Sequence, residues 1–244
     1  MDPDKIRERY EERGRRAGRI DAVLDASPHI SVRRANIYRD YITRNAVVRA
    51  VQPAPADRIL DYGCGTGRLS LEMARYAREV HGVDIADSML QQARNWAQET
   101  RLGNVTFGRP ESATGQFQKA FTFGVMCHHD DQALEIALAN LRGLIEPGGR
   151  LFLLEQVRSE EKTFEDFYRQ RARAAYPEFA DRAGFRLVRQ QPVFRMPSYG
   201  LALWNRWPFP KSLLFALELI ERATVDRKPE HIDYETRVFE LANP

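Results

Sequence analysis

The chain has 244 residues, 43% of them hydrophobic, which supports one domain with a substantial core and some decoration. No run of eighteen apolar residues occurs and the start, Met1-Asp2-Pro3-Asp4-Lys5, is charged, so neither a membrane span nor a secretory leader is expected and a cytoplasmic location fits. The net charge of +3 is carried by arginine, 32 against 5 lysines, with no aromatic-interleaved basic patch, so nucleic acid is not expected as a partner.

Residues 4–25 are charge-dense with sparse apolar positions and read as a surface helix, broken at Ser27-Pro28. Helical spacing resumes over 31–51, with Ile37, Tyr41 and Val48 along one stripe, and Pro53 and Pro55 form a stiff linker. This divides the chain into an N-terminal helical cap, 1–52, and a core, 53–244. In the core, strand and helix alternate, as in a parallel sheet covered on both faces. Strands are expected at about 57–62, 79–84, 104–107, 120–126 and 150–157. The helices between them bury Leu69, Met73 and Ala77, then Met89, Ala93 and Trp96, then Leu134, Ala137, Leu141 and Leu144 behind an Asp130/Asp131 cap. Residues 160–183 read as a helix closing at Gly184, 185–189 as strand six and 234–241 as strand seven. Between these two strands lies an aromatic-rich insertion, about 192–230, with Phe194, Tyr199, Trp204, Trp207, Phe209 and Phe215.

The most informative stretch is 59–68, Ile-Leu-Asp-Tyr-Gly-Cys-Gly-Thr-Gly-Arg. A strand that stops in a glycine turn and feeds a helix lets a ligand approach bare backbone amides. Dinucleotide sites space their glycines G-x-G-x-x-G. Here the third glycine, Gly67, comes one residue early, Arg68 takes its usual place, and Asp61 faces the turn. A carboxylate there repels a pyrophosphate and suits a ligand with an ammonium group. Asp84 follows the turn by about twenty residues, the offset of a ribose-binding acid.

In these residues the chain resembles the class I, Rossmann-like S-adenosylmethionine-dependent methyltransferases, whose first motif reads acid-x-Gly-x-Gly-x-Gly. His81-Gly-Val-Asp-Ile-Ala-Asp-Ser-Met-Leu90 is similar to the second motif, and Phe123-Gly-Val-Met-Cys-His-His-Asp-Asp131 to the fourth strand and its active-site end. Leu144-Ile-Glu-Pro-Gly-Gly-Arg-Leu151 matches the Pro-Gly-Gly turn into strand five. The resemblance implies a seven-stranded, mostly parallel Rossmann-like sheet with helices on both faces. Its strand seven is antiparallel, between strands five and six. The implied cofactor is S-adenosylmethionine.

By that resemblance Asp61, Gly63, Cys64 and Gly65 hold the methionine end of the cofactor and Asp84 the ribose, while Ile85 and Met89 flank the adenine. Cys127, just after strand four, likewise takes a cofactor-binding position. The third motif departs from the family's: Gly108-Arg-Pro-Glu-Ser-Ala113 offers Ser112 or Glu111 where an acid is expected, and both also suit a turn. His128 and His129 follow strand four at the sheet edge where open α/β sheets place ligands, so either is a candidate general base. A pocket-shaping role is the alternative, and Glu155, ending strand five, is a second candidate base. Tyr41 lies in a segment that folds over the cofactor in relatives. Tyr199 and Trp204, with the rest of the insertion, suit an acceptor pocket, a homodimer contact or a peripheral membrane contact. Two cysteines make neither a metal site nor a disulfide framework, so no metal is expected. The expected reaction is methyl transfer to a small-molecule or glycan-type acceptor, at oxygen given the candidate bases. An N- or C-methyltransferase on a similar scaffold, or a non-catalytic cofactor-binding partner subunit, are the alternatives.

Overall fold

The computed structural model describes residues 2–16, 18–27, 29–164, 167–194, 211–225 and 234–244. Five parallel strands run in the order β3-β2-β1-β4-β5: β1 (Arg58–Tyr62), β2 (Glu79–Val83), β3 (Val105–Gly108), β4 (Phe117–Phe123) and β5 (Ile145–Arg158). Beyond β5 the sheet turns antiparallel, because β9 (Tyr234–Ala242) inserts between β5 and β8 (Arg186–Phe194) and opposes both. That is the arrangement the resemblance implied. Burial follows from topology: Leu60, Phe121, Leu151, Leu153 and Phe239 are sealed because helices cover both faces.

One face packs α6 (Asp131–Leu144) and α7 (Ala175–Arg182) around Leu134, Leu138, Leu141, Tyr176 and Phe179. The other carries α4 (Arg68–Met73) and α3 (Ile30–Val51), joined by Val47, Val51, Leu69 and Met73. Asp130 caps α6 as expected, its carboxylate accepting from the Ala133 amide at 2.9 Å. Next to the sheet, α5 is Asp87–Thr100 and α8 is Lys211–Thr224.

Three readings of the sequence are corrected. Residues 160–183 are not one helix: β6 (Lys162–Phe164) and β7 (Tyr168–Ala172) form a hairpin, and only Ala175–Arg182 is helical. The extended backbone sends adjacent buried side chains to opposite sides. Gln170 donates to Gln156 at 2.7 Å, whereas Arg171 reaches the carbonyls of Met126 and His129 at 2.9 and 2.7 Å. In α3, Ile37 points outward at 52% exposure, and the buried stripe runs through Ala35, Tyr38, Ile42 and Ala46. Buried Asn36, Asp40 and Thr43 share this inner face, so apolarity alone misplaces it.

The third correction concerns 4–25, which forms two helices, α1 (Pro3–Arg16) and α2 (Arg19–Val23), rather than one surface helix. Glu11 on α1 caps α5 from outside, its carboxylate accepting from the amides of Asp87 and Ser88 at 2.5 and 3.1 Å. The approach is close: a Cβ on Gly14 would lie 2.3 Å from Ser88 Oγ.

Candidate functional site

The C-terminal edge of β1, β2 and β4 opens into a cleft of about 360 Å³. Its floor is Tyr62, Gly63 and Gly65 after β1, and Val83, Asp84 and Ile85 after β2. One wall is Phe123, Gly124, Val125, His128 and His129, with α6 behind them. The other is the N-terminal cap, through Pro3, Ile6 and Tyr10 of α1 and Val23 of α2.

The glycine turn keeps the floor low. Gly63 has φ +81° and Gly65 φ +54°, in the left-handed region. A Cβ on Gly63 would lie 2.3 Å from Val125, and one on Gly65 2.6 Å from Val23. Asp84 is tied to this turn, accepting from the Gly65 amide at 2.8 Å and the Ala86 amide at 2.9 Å. Burial raises its pKa, the amides pull it down. Two carboxylate oxygens offer about four acceptor positions, so capacity remains for ligand hydroxyls.

At the far wall the hydrogen bonds assign a proton. The Phe167 carbonyl can only accept, so His128 Nδ1 donates to it, at 2.6 Å. His128 Nε2 is then the acceptor for the Tyr10 hydroxyl at 2.8 Å. The rings meet edge to face, centroids 5.4 Å apart. Burial pushes the histidine down to about 4 and the Tyr10 phenol well up, so both are neutral near pH 7. His129 also shifts down through burial, and its Nδ1 lies 3.2 Å from the Val125 carbonyl.

Of the residues singled out from sequence, Gly63, Gly65, Asp84, Ile85, His128 and His129 meet in this cleft. The others lie elsewhere. Asp61 is beneath the turn, accepting from Ser70 Oγ at 2.6 Å beside buried Arg68, and burial lifts it to about 7. Arg68 itself pairs with Asp40 at 3.1 Å. Cys64 is buried, its Sγ 3.7 Å from the Gly65 carbonyl oxygen. Met89 is sealed under the cap with Ala22 and Ala86. Ser112 serves the turn, donating to the Arg109 carbonyl at 2.6 Å and lying 2.9 Å from His81 Nε2. Tyr41 packs at the edge of the α3–α8 cluster. Cys127 lines a second cavity instead. Tyr199 and Trp204 fall outside the described residues.

Glu155 is fully buried behind the wall, not at its surface. Its Oε1 accepts from the amides of Val125 and Met126 at 3.1 and 3.0 Å, which sets the loop carrying His128. Burial raises it to about 7, against the pull of those amides.

Sequence reasoning missed Tyr10. The signal was faint: Ile6 and Tyr10 are four apart, the spacing of one helical face, in an otherwise charged segment.

A glycine turn after one parallel strand, with an acid ending the next, defines a nucleotide-binding site of the Rossmann type. Residues 59–149 match a family described as a methyltransferase domain. The S-adenosyl-L-methionine-dependent Diels-Alderase iccD of Talaromyces variabilis is 36% identical over 109 residues, 41% of this chain and 37% of that protein. The O-methyltransferase cnsE of Penicillium expansum is 29% identical over 130 residues, 50% of this chain and 46% of that protein. The chain thus spans less than half the length of these curated relatives. In fold it is similar to the magnesium protoporphyrin IX methyltransferase of Synechocystis PCC 6803 with bound SAH, with a TM-score of 0.63 at 18% identity, covering 98% of each chain. Over residues 59–149 the chain is thus similar to the methyltransferase domain of S-adenosylmethionine-dependent enzymes, and its fold is the Rossmann-like one of the solved methyltransferase.

The cleft fits that family's cofactor. The turn is passable only with glycine, Asp84 is held by two amides with acceptor capacity left toward the cleft, and Ile85, Pro110, Ala133 and Ile136 supply apolar surface suited to a base. None of the described residues forms a cluster able to hold a metal ion. No described helix is long and apolar enough to cross a membrane.

Proposed function

We propose that the protein transfers a methyl group from S-adenosylmethionine to oxygen on a small-molecule or glycan-type acceptor. One observation carries this reading: the hydrogen-bonded Tyr10–His128 pair stands in the same cleft as the glycine turn and Asp84. Asp84 and the floor of the turn hold the cofactor, which when bound supplies an electrophilic methyl on a positively charged sulfur that becomes neutral on transfer. The chain's own work is to orient the acceptor, exclude water and take the acceptor's proton.

Tyr10 suits that last task. While its hydroxyl donates to His128 Nε2, the oxygen can accept from an acceptor hydroxyl. The acceptor's proton passes to the Tyr10 oxygen as the Tyr10 proton passes to Nε2. The imidazolium so formed keeps its Nδ1–H on the Phe167 carbonyl. A weakly basic, desolvated histidine can do this because a positive charge leaves the cleft's reacting sulfur as one arrives on the ring.

Purified protein with S-adenosylmethionine and a panel of alcohols, phenols and amines tests the reading by formation of S-adenosylhomocysteine. Formation with hydroxyl acceptors supports oxygen transfer, and turnover of amines alone rejects it. A second reading, a cofactor-bound scaffold for cyclisation, draws on the apolar walls at Ile6, Val23 and Val125 and on the Diels-Alderase relative. It requires that no homocysteine product form while substrate cyclises.

A further inference from the structure

A helix on a protein surface turns its apolar stripe to the core and its charges to water. Helix α8 departs from that rule. Leu214 and Leu217 do face inward, onto Tyr38, Ile42 and Ala46 of α3. So do both of its carboxylates: Glu218 is 6% exposed and Glu221 2%. Glu218 accepts from Asn45 Nδ2 at 2.7 Å and pairs with Arg49, both on α3. The outer face is left to Phe215, Ala216, Leu219, Ile220 and Ala223, whose spacing sets them on one side of the helix. Phe215, Leu219 and Ile220 are 55%, 46% and 50% exposed. Single exposed apolar residues are ordinary, but a continuous row on a face emptied of its acids marks a contact surface.

The neighbouring helix repeats the pattern. Ile30 and Ile37 stand exposed on the outer stripe of α3, two turns apart. Its one acid, Asp40, is buried between Arg44 and Arg68. Together α3 and α8 hold seven basic residues against three acidic ones, and all three acids are buried. These helices therefore offer the surroundings apolar side chains and positive charge, and Arg222 stands exposed beside the apolar row.

We propose that the outer face of α8, bordered by α3, rests on a lipid surface that carries anionic headgroups. The apolar row enters the boundary between headgroups and acyl chains, while guanidiniums stay at the level of the phosphates, as in an interfacial helix. No described helix can cross a bilayer, so the contact is made from one side. A second copy of the chain suits this face less well. Pairing the two helices with themselves sets arginine against arginine, with no exposed acid on either to answer it. The proposal does not depend on the reaction in the cleft.

The test is flotation of the full chain with vesicles of phosphatidylcholine alone, or of phosphatidylcholine and phosphatidylglycerol in equal parts. Wild type is expected to float with the mixed vesicles in preference to the neutral ones, and less as salt rises. Leu219→Glu and Phe215→Ser should each weaken binding about tenfold or more. Arg222→Gln should weaken it about fivefold, the effect of one cation at an anionic surface. Tyr76→Ser, which removes an exposed aromatic outside these helices, should bind as wild type does. All the positions are exposed, so melting temperatures should match, and Arg222→Gln keeps the test decisive if Leu219→Glu melts early. No flotation, equal flotation with both vesicle types, or flotation indifferent to Leu219→Glu and Arg222→Gln overturns the proposal. So does a wild-type dimer, seen by sedimentation without vesicles, that Leu219→Glu dissociates, since that assigns the face to a second copy.

Discussion

Replacing Tyr10 with Phe isolates one hydroxyl. The ring keeps its edge contact with His128, at 5.4 Å, and its place under Arg13, so packing is preserved. What is lost is the 2.8 Å hydrogen bond to Nε2, and with it the oxygen that would accept the acceptor's proton. A single such bond contributes about 0.5–1.5 kcal/mol to stability, so Tyr10→Phe should fold and melt a few degrees lower. Removing a positioned proton acceptor costs roughly 10²–10⁴ in rate, about 3–5 kcal/mol of transition-state stabilisation. The rate effect therefore exceeds the stability effect severalfold. Initial rates of S-adenosylhomocysteine formation should fall by that factor, with its calorimetric affinity within twofold of wild type. His128→Ala should lose a similar factor, and the double variant little more than either single one, because the two act as a unit. A Tyr10→Phe enzyme with near-normal turnover would refute the relay and leave the pair a wall of the pocket.

The acidic limb of kcat/KM should fall near pH 4 rather than near 6.5, since burial holds His128 down to about 4; a limb near neutrality would show that another group titrates. As a linkage effect, His128 removes stability as pH drops from 6.5 to 4, whereas Asp61 and Glu155, raised to about 7, remove it as pH climbs from about 4 to 7, so rate rather than melting reads the histidine. Asp84→Ala should weaken S-adenosylhomocysteine binding by about 1–3 kcal/mol in calorimetry, and undiminished affinity would remove the acid from the ribose role. Gly65→Ala places a Cβ 2.6 Å from Val23 at φ +54°; a loss of about 1–3 kcal/mol in denaturant unfolding is expected, partly recovered by adding Val23→Ala.

Much of the core was legible because local pattern and tertiary role agree there. The apolar runs become β1 to β5, the turn after β1 needs positive φ at Gly63, Gly65 and Gly67, and Asp130 caps α6. Pattern failed where polar side chains do the packing. Arg171 is fully buried and bonds to carbonyls of the wall loop, yet a buried arginine in Tyr-Arg-Gln-Arg-Ala looks like a solvated helical face. Asp40 and Arg68 likewise pair across α3 and α4 with nothing in either segment to announce it.

The site was legible by the same measure. Residues that reach the cleft through backbone or sheet position, Gly63, Gly65, Asp84 and His128, are fixed by motif spacing within one βαβ frame. Asp61 and Glu155 belong to that frame too, but their distance from the cleft depends on which neighbour claims them. Ser70 takes Asp61, and the amides of Val125 and Met126 take Glu155. Tyr10 lies outside the frame altogether. It reaches His128 across 118 positions only because Glu11, one residue on, clamps α1 to the start of α5, and Gly14 permits the approach. That dependence assigns the division of labour. The motif-bearing half brings the glycine turn and Asp84 to the cleft, whereas Tyr10 arrives on the cap. On the proposed reading, changing the cap residues that face the cleft at Ile6 and Tyr10 while keeping the Glu11 clamp would alter the acceptor wall and leave the glycine turn and Asp84 in place.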